Sequence, residues 1–132
     1  MNDILSNAVK KWRQSSFVWG ESDCLISLAD YLVELGYDDF ASEYRGQYHT
    51  EQQAAKTLYK IGLGYSELIK STGLPETETP ERGDIVLVCF GQSLAGICTG
   101  EGVVFRNART VSELDLKRLN VKKCWKVTKC HN

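Results

Sequence analysis

At Pro80-Glu81-Arg82-Gly83 the spacing of apolar residues changes, and this change constrains the fold more than any other feature of the chain. Before it, apolar side chains recur at helical intervals. After it comes Ile85-Val86-Leu87-Val88-Cys89-Phe90, whose length and β-branched content suit a buried strand. Upstream, Ile4, Leu5, Ala8, Val9 and Trp12 predict a short amphipathic helix after an Asp3 cap, ended by Arg13-Gln14-Ser15-Ser16. Leu25, Leu28, Ala29 and Leu32 mark a central helix capped by Ser22 or Asp23, with Gly36 as its stop. Thr50 and Gln53 form a capping box opening a third helix that carries Ala54, Ala55 and Leu58 inward and stops near Gly62; residues 65–70 add one more turn. Downstream, residues 94–98 and 103–105 read as strands joined through Thr99-Gly100-Glu101-Gly102, residues 112–119 as a short helix and residues 124–127 as a last strand. With helices first and strands after, the expected fold is α+β, one domain over residues 1–132, its N-terminal helices packed on a small antiparallel sheet.

A length of 132 residues with 42% apolar content fits one domain with a real core and leaves no room for two. Only two prolines and eleven glycines exclude a collagenous or low-complexity chain. The formal charge of −1 conceals an asymmetry: residues 1–105 carry eight basic and fifteen acidic side chains, residues 106–130 eight basic and two acidic. The basic part either folds back on acidic neighbours or offers a surface to an acidic partner protein; without a nucleic-acid motif, nucleic acid is not expected. Five cysteines include no Cys-x-x-Cys pair, so neither a structural metal nor another cofactor is expected. The N-terminus lacks signal-peptide character and no apolar run is long enough to span a bilayer, so the expectation is synthesis in a reducing cytosol.

The segment with chemical content is Phe17-Val18-Trp19-Gly20-Glu21-Ser22-Asp23-Cys24. A thiol in the first turn of a helix sits near unpaired N–H groups and the positive end of the helix dipole, which both favour thiolate. Cys24 is therefore the candidate nucleophile, against the plainer reading of a small apolar residue packing the helix. Phe17, Trp19 and Asp23 would border a cleft beside it. Arg82-Gly83-Asp84 spells a known adhesion string, but a turn leading into a strand explains its glycine and aspartate.

The aromatic-x-Trp-Gly-x-x-Asp-Cys string followed about sixty residues later by Pro80-Glu81-Arg82-Gly83-Asp84 and an apolar strand resembles the NlpC-type cell-wall peptidases of the papain-like cysteine peptidase group. The likeness runs from about residue 15 to residue 105. It is closest to small phage and prophage proteins of this group that keep the same strings and a late tryptophan such as Trp125. The resemblance implies a papain-like topology and a Cys24 thiolate attacking a peptide carbonyl in peptidoglycan, with a histidine at the start of the second strand as base. In this chain the matching string is Leu94-Ala95-Gly96-Ile97, so Leu94 stands where the base belongs, at the cleft wall, and leucine accepts no proton.

His49, among Tyr44, Gln47, Tyr48 and Thr50, is the only internal substitute base, and His131 lies beside the C-terminus. The implied function is a pseudo-enzyme serving as a structural or assembly component of a phage or prophage tail, with other tail proteins as partners and the virion as its destination. The alternative is an active peptidoglycan-cleaving peptidase or amidase with Cys24 as nucleophile.

Overall fold

The computed structural model describes residues 3–60, 65–89 and 93–127. Asp3 caps the first helix, α1 (Ile4–Gln14), its carboxylate accepting the Ser6 N–H at 2.8 Å. Leu5, Ala8 and Trp12 form the buried stripe of α1. Asp23 caps α2 (Cys24–Glu34), which ends where Gly36 takes a left-handed φ of 96°. At α3 (Glu51–Lys60) Thr50 Oγ1 accepts the Gln53 N–H as the capping box predicts. The return arm differs: Gln53 Oε1 accepts the N–H of His49, one residue further back than the box requires. The expected stop at Gly62 lies outside the described residues, and α4 (Tyr65–Lys70) follows.

The second half is a six-stranded antiparallel sheet in the order β1-β6-β2-β3-β4-β5. Its strands are β1 (Glu76–Thr77), β2 (Ile85–Cys89), β3 (Ser93–Cys98), β4 (Gly102–Arg106), β5 (Val111–Asp115) and β6 (Val121–Trp125). The α+β class and the helices-then-sheet order are therefore as expected. The helix expected over residues 112–119 is corrected: its first part is edge strand β5, paired along its whole length with β4, and only Leu116–Arg118 coil, as a single 3₁₀ turn. Pairing with an existing strand overrides the weak helical preference of Ser-Glu-Leu-Asp.

Period-two alternation divides the sheet residues between two clusters. Ile85, Leu87, Ala95, Ile97, Val104 and Trp125 meet Leu5, Ala8 and Trp12 of α1 and Leu28, Tyr31 and Leu32 of α2. On the opposite face, Val86, Val88, Cys98, Val103, Phe105 and Cys124 pack under Leu94, Leu116 and Leu119. Strand β2 is buried on both faces, which is why it reads as an unbroken apolar run. A third cluster lies on the far side of α2, where Leu25, Ile26 and Ala29 meet Ala41, Tyr44, Tyr48, Ala54 and Leu68. Helix α2 is thus buried on two sides, and Trp12 and Trp125 are core residues.

The turn before β2 is tied from three directions. Gly83 has a φ of 100°, and its carbonyl accepts the Tyr31 hydroxyl at 2.7 Å, joining α2 to the sheet. Arg82 reaches Asp3 and Ser6 at the start of α1. Asp84, 2% exposed, accepts the Glu81 N–H with one oxygen and the Val127 N–H with the other, at 2.8 and 2.9 Å. The second bond pins the chain just beyond β6 against the start of β2.

Replacing Asp84 with alanine strands the buried Val127 N–H. Asp84→Ala is expected to lower unfolding free energy by about 2–3 kcal/mol, with Asp84→Asn losing less because one acceptor survives. The shift of the urea midpoint checks both. The Arg82 guanidinium, followed by the Ser6 N–H, holds the Asp3 carboxyl far below the usual carboxylate range. A depressed native pKa gives stability that is present above the unfolded value and lost as pH falls through the folded one. Wild type should therefore gain more stability than Asp3→Asn as pH rises from about 2 to about 5, read from parallel thermal melts.

Candidate functional site

The Trp-Gly-x-x-Asp-Cys string folds as a tight turn delivering the chain to the N-terminus of α2. The N–H groups of Glu21 and Ser22 donate to Val18 O, and Ser22 Oγ accepts the Val18 N–H while donating to Ser16 O at 2.7 Å. Gly20 has a φ of 83°, and a Cβ built on it would lie 2.1 Å from the carbonyl oxygen of Tyr48. Its own carbonyl accepts the Gly46 N–H at 2.7 Å. Only glycine permits both the left-handed backbone and the approach of the 46–48 segment.

Asp23 is 0% exposed and lines no open surface, which corrects the expectation that it borders a cleft. One carboxylate oxygen accepts the Gly20 N–H at 2.8 Å and the other the Ile26 N–H at 2.9 Å, and the Tyr48 phenol stands beside the same carboxylate. Burial first, then the neighbouring Asp23 carboxylate, pushes the Tyr48 phenol far above its ordinary range. It therefore stays protonated at neutral pH and is not a base. Tyr48 itself is 1% exposed.

Cys24 is the first residue of α2 and is half-buried, so the thiol lies in the first helical turn as the sequence indicates. The loop between α2 and α3 turns Tyr48 inward to Asp23 and leaves the next residue, His49, exposed with its backbone N–H engaged by Gln53. His131 lies outside the described residues.

Leu94 packs with Val86, Val88 and Phe105 on the sheet face away from α1 and α2, so it does not line a cleft at Cys24. The helix-facing residues of β3 are Ala95 and Ile97. Trp19 packs on the cluster around Tyr44 and Tyr48, and Phe17 meets it edge-on with ring centroids 4.9 Å apart. Phe17 borders a cleft, but one formed with the turn between β4 and β5. Cys98 and Cys124 are buried, and burial pushes the Cys124 thiol up to about 11. Among the described residues no group of three or more His, Cys, Asp or Glu is placed to hold a metal.

Two residues that the sequence reading passed over shape the site. Tyr48 is visible only once the loop is folded, because no local pattern separates it from Tyr44. Arg106 carried a signal: at the end of β4 it shares its face with Val104, so alternation turns it inward. It is 4% exposed, donates to Ser27 Oγ and Ser15 O, and stands 5.9 Å from the Phe17 ring centroid. Burial lowers its pKa.

Gly20→Ala forces a Cβ into Tyr48 O at a left-handed φ, and it is expected to cost about 3 kcal/mol or more. Thermal melting checks this. Iodoacetamide in native buffer should modify Cys24 and Cys89 while Cys98 and Cys124 stay protected until denaturant is added, as read by peptide mass spectrometry.

No curated protein and no solved structure matches the chain. The family model described as "Domain of unknown function (DUF6950)" matches residues 2–127. The chain belongs to that family.

Proposed function

We propose that the chain is a non-catalytic domain of papain-like, NlpC-type architecture that serves as a structural or assembly component of a phage or prophage tail. The architecture is supported by a helix that opens on Asp23-Cys24 and lies across an antiparallel sheet, and by the Gly83-Asp84 turn leading into β2. The tail role rests on the sequence resemblance.

One observation carries the non-catalytic reading. The motif residues around Cys24 are consumed by the architecture: Gly20 by close approach of the 46–48 backbone, Asp23 by two backbone donors, and the inward place on the loop by Tyr48 instead of an imidazole. Leu94, matched to the family base, lies on the other sheet face. Without a general base, on the order of two to four powers of ten in rate are lost.

The basic C-terminal part supports a docking role. Lys123 pairs with Glu76, and Lys126 with Glu81 and Asp84. Arg109, Lys117, Arg118 and Lys122 are exposed and have no ion-pair partner among the described residues. Self-neutralisation is thus partial, and the remaining cations suit an acidic neighbouring protein. Among the described residues no helix is long and apolar enough to cross a membrane.

A zymogram on purified cell walls tests the proposal, using wild type, Cys24→Ala and His49→Ala. The expected result is no clearing by any of the three. Clearing by wild type that Cys24→Ala abolishes would establish the alternative, a peptidoglycan hydrolase, and end the non-catalytic reading.

A further inference from the structure

A cleft of about 350 Å³ opens between the segment joining α1 to α2 and the turn joining β4 to β5. Its wall includes Arg13, Phe17, Arg106, Asn107, Arg109 and Thr110, and no acidic side chain lines it. Arg106 is the unusual member. The residue is 4% exposed, yet among the described residues no carboxylate lies within ion-pair distance, and Asp23 and Asp30 act on it only at longer range. A guanidinium carries five N–H donors. The acceptors that meet it among the described residues are Ser27 Oγ at 3.3 Å and Ser15 O at 2.9 Å. A buried cation without a counter-charge is costly, because desolvation is offset only when an anion and further acceptors stand close by.

The turn that brings Arg109 to the same cleft is already ordered. Asn107 Oδ1 accepts the N–H groups of Arg109 and Thr110, each at 2.9 Å, and the Asn107 N–H donates to Thr110 O at 3.0 Å. Arg13 stands in the last turn of α1. Three arginines from three different stretches of chain thus line one acid-free concavity, and one of them, Arg106, is buried and also borders the larger neighbouring cleft that holds Ser27, Asp30 and Glu34. We infer that this cleft binds a small oxyanion. A dianionic phosphate fits best, because its charge and several acceptor oxygens match the forked donors of three arginines on one cleft wall. A dicarboxylate is the other source of the same chemistry. The inference does not depend on whether Cys24 is catalytic, since Cys24 does not line this cleft.

The test is a titration of the full chain at constant ionic strength, first with inorganic phosphate and then with succinate, following the amide resonances of residues 107–110. Saturable shifts with a dissociation constant of about 1 mM or tighter are expected. Arg13→Ala and Arg109→Ala, both exposed positions that leave the core intact, should each weaken binding about five- to tenfold. Lys122→Ala removes the same charge from β6, three strands from β4, and should leave binding unchanged. Saturation by phosphate alone identifies a phosphate site, and saturation by succinate identifies a carboxylate site. Absence of saturation up to about 20 mM of either anion, or equal weakening by Lys122→Ala, would overturn the inference.

Discussion

A carboxylate sealed from water must find its hydrogen-bond donors inside the protein, and the way Asp23 finds them organises the rest of the structure. One oxygen takes the N–H of Ile26 in the first turn of α2, the other takes the N–H of Gly20 in the preceding turn, and the buried Tyr48 phenol stands beside the carboxylate. Each donor comes from a different stretch of chain. The helix start and the turn before it are therefore fixed relative to one another by one side chain, with the loop beyond α2 packed beside it. The requirement passes on to Gly20, because only a residue without Cβ lets the Tyr48 backbone come close enough for its side chain to reach Asp23.

Asp84 repeats the device on the sheet. It joins the turn before β2 to the chain leaving β6, while Tyr31 of α2 reaches the carbonyl of neighbouring Gly83. Helix α2 is thus held at its N-terminus by Asp23 and against the sheet by Tyr31, and it buries apolar side chains on both flanks. In both Gly-containing motifs that draw attention in the sequence, one ending in Asp23-Cys24 and the other in Gly83-Asp84, the glycine and the aspartate have structural roles. Their presence follows from the fold whether or not Cys24 performs chemistry, which is why the motifs alone do not argue for an enzyme.

The features legible in the sequence were those set by local physics. The caps at Asp3, Asp23 and Thr50 need only a short polar side chain three residues before a backbone N–H, and the β2 run announces burial on both faces. Features set by distant partners were not legible. Strand β5 is polar and exists because β4 offers an edge, and β1 is two polar residues given order by β6. Leu94 looked like a cleft residue by motif position, yet alternation along β3 and pairing with Val88 put it on the far face. The choice of Tyr48 over His49 as the inward residue depends on where Asp23 sits, a contact spanning the whole α2 helix and the loop after it. Arg106 could have been flagged from its spacing to Val104, but that no carboxylate among the described residues pairs with it emerges only from the assembled fold.

Asp23 ties the start of α2 to the turn before it, with Tyr48 of the following loop packed beside the carboxylate, and a double-mutant cycle tests that contact most directly. Unfolding free energies of wild type, Asp23→Ala, Tyr48→Phe and the double variant, taken from urea titrations, isolate the coupling between the two side chains. A favourable coupling of about 1–3 kcal/mol is expected for a phenol held against a buried carboxylate. Additive losses, with coupling indistinguishable from zero, would contradict it.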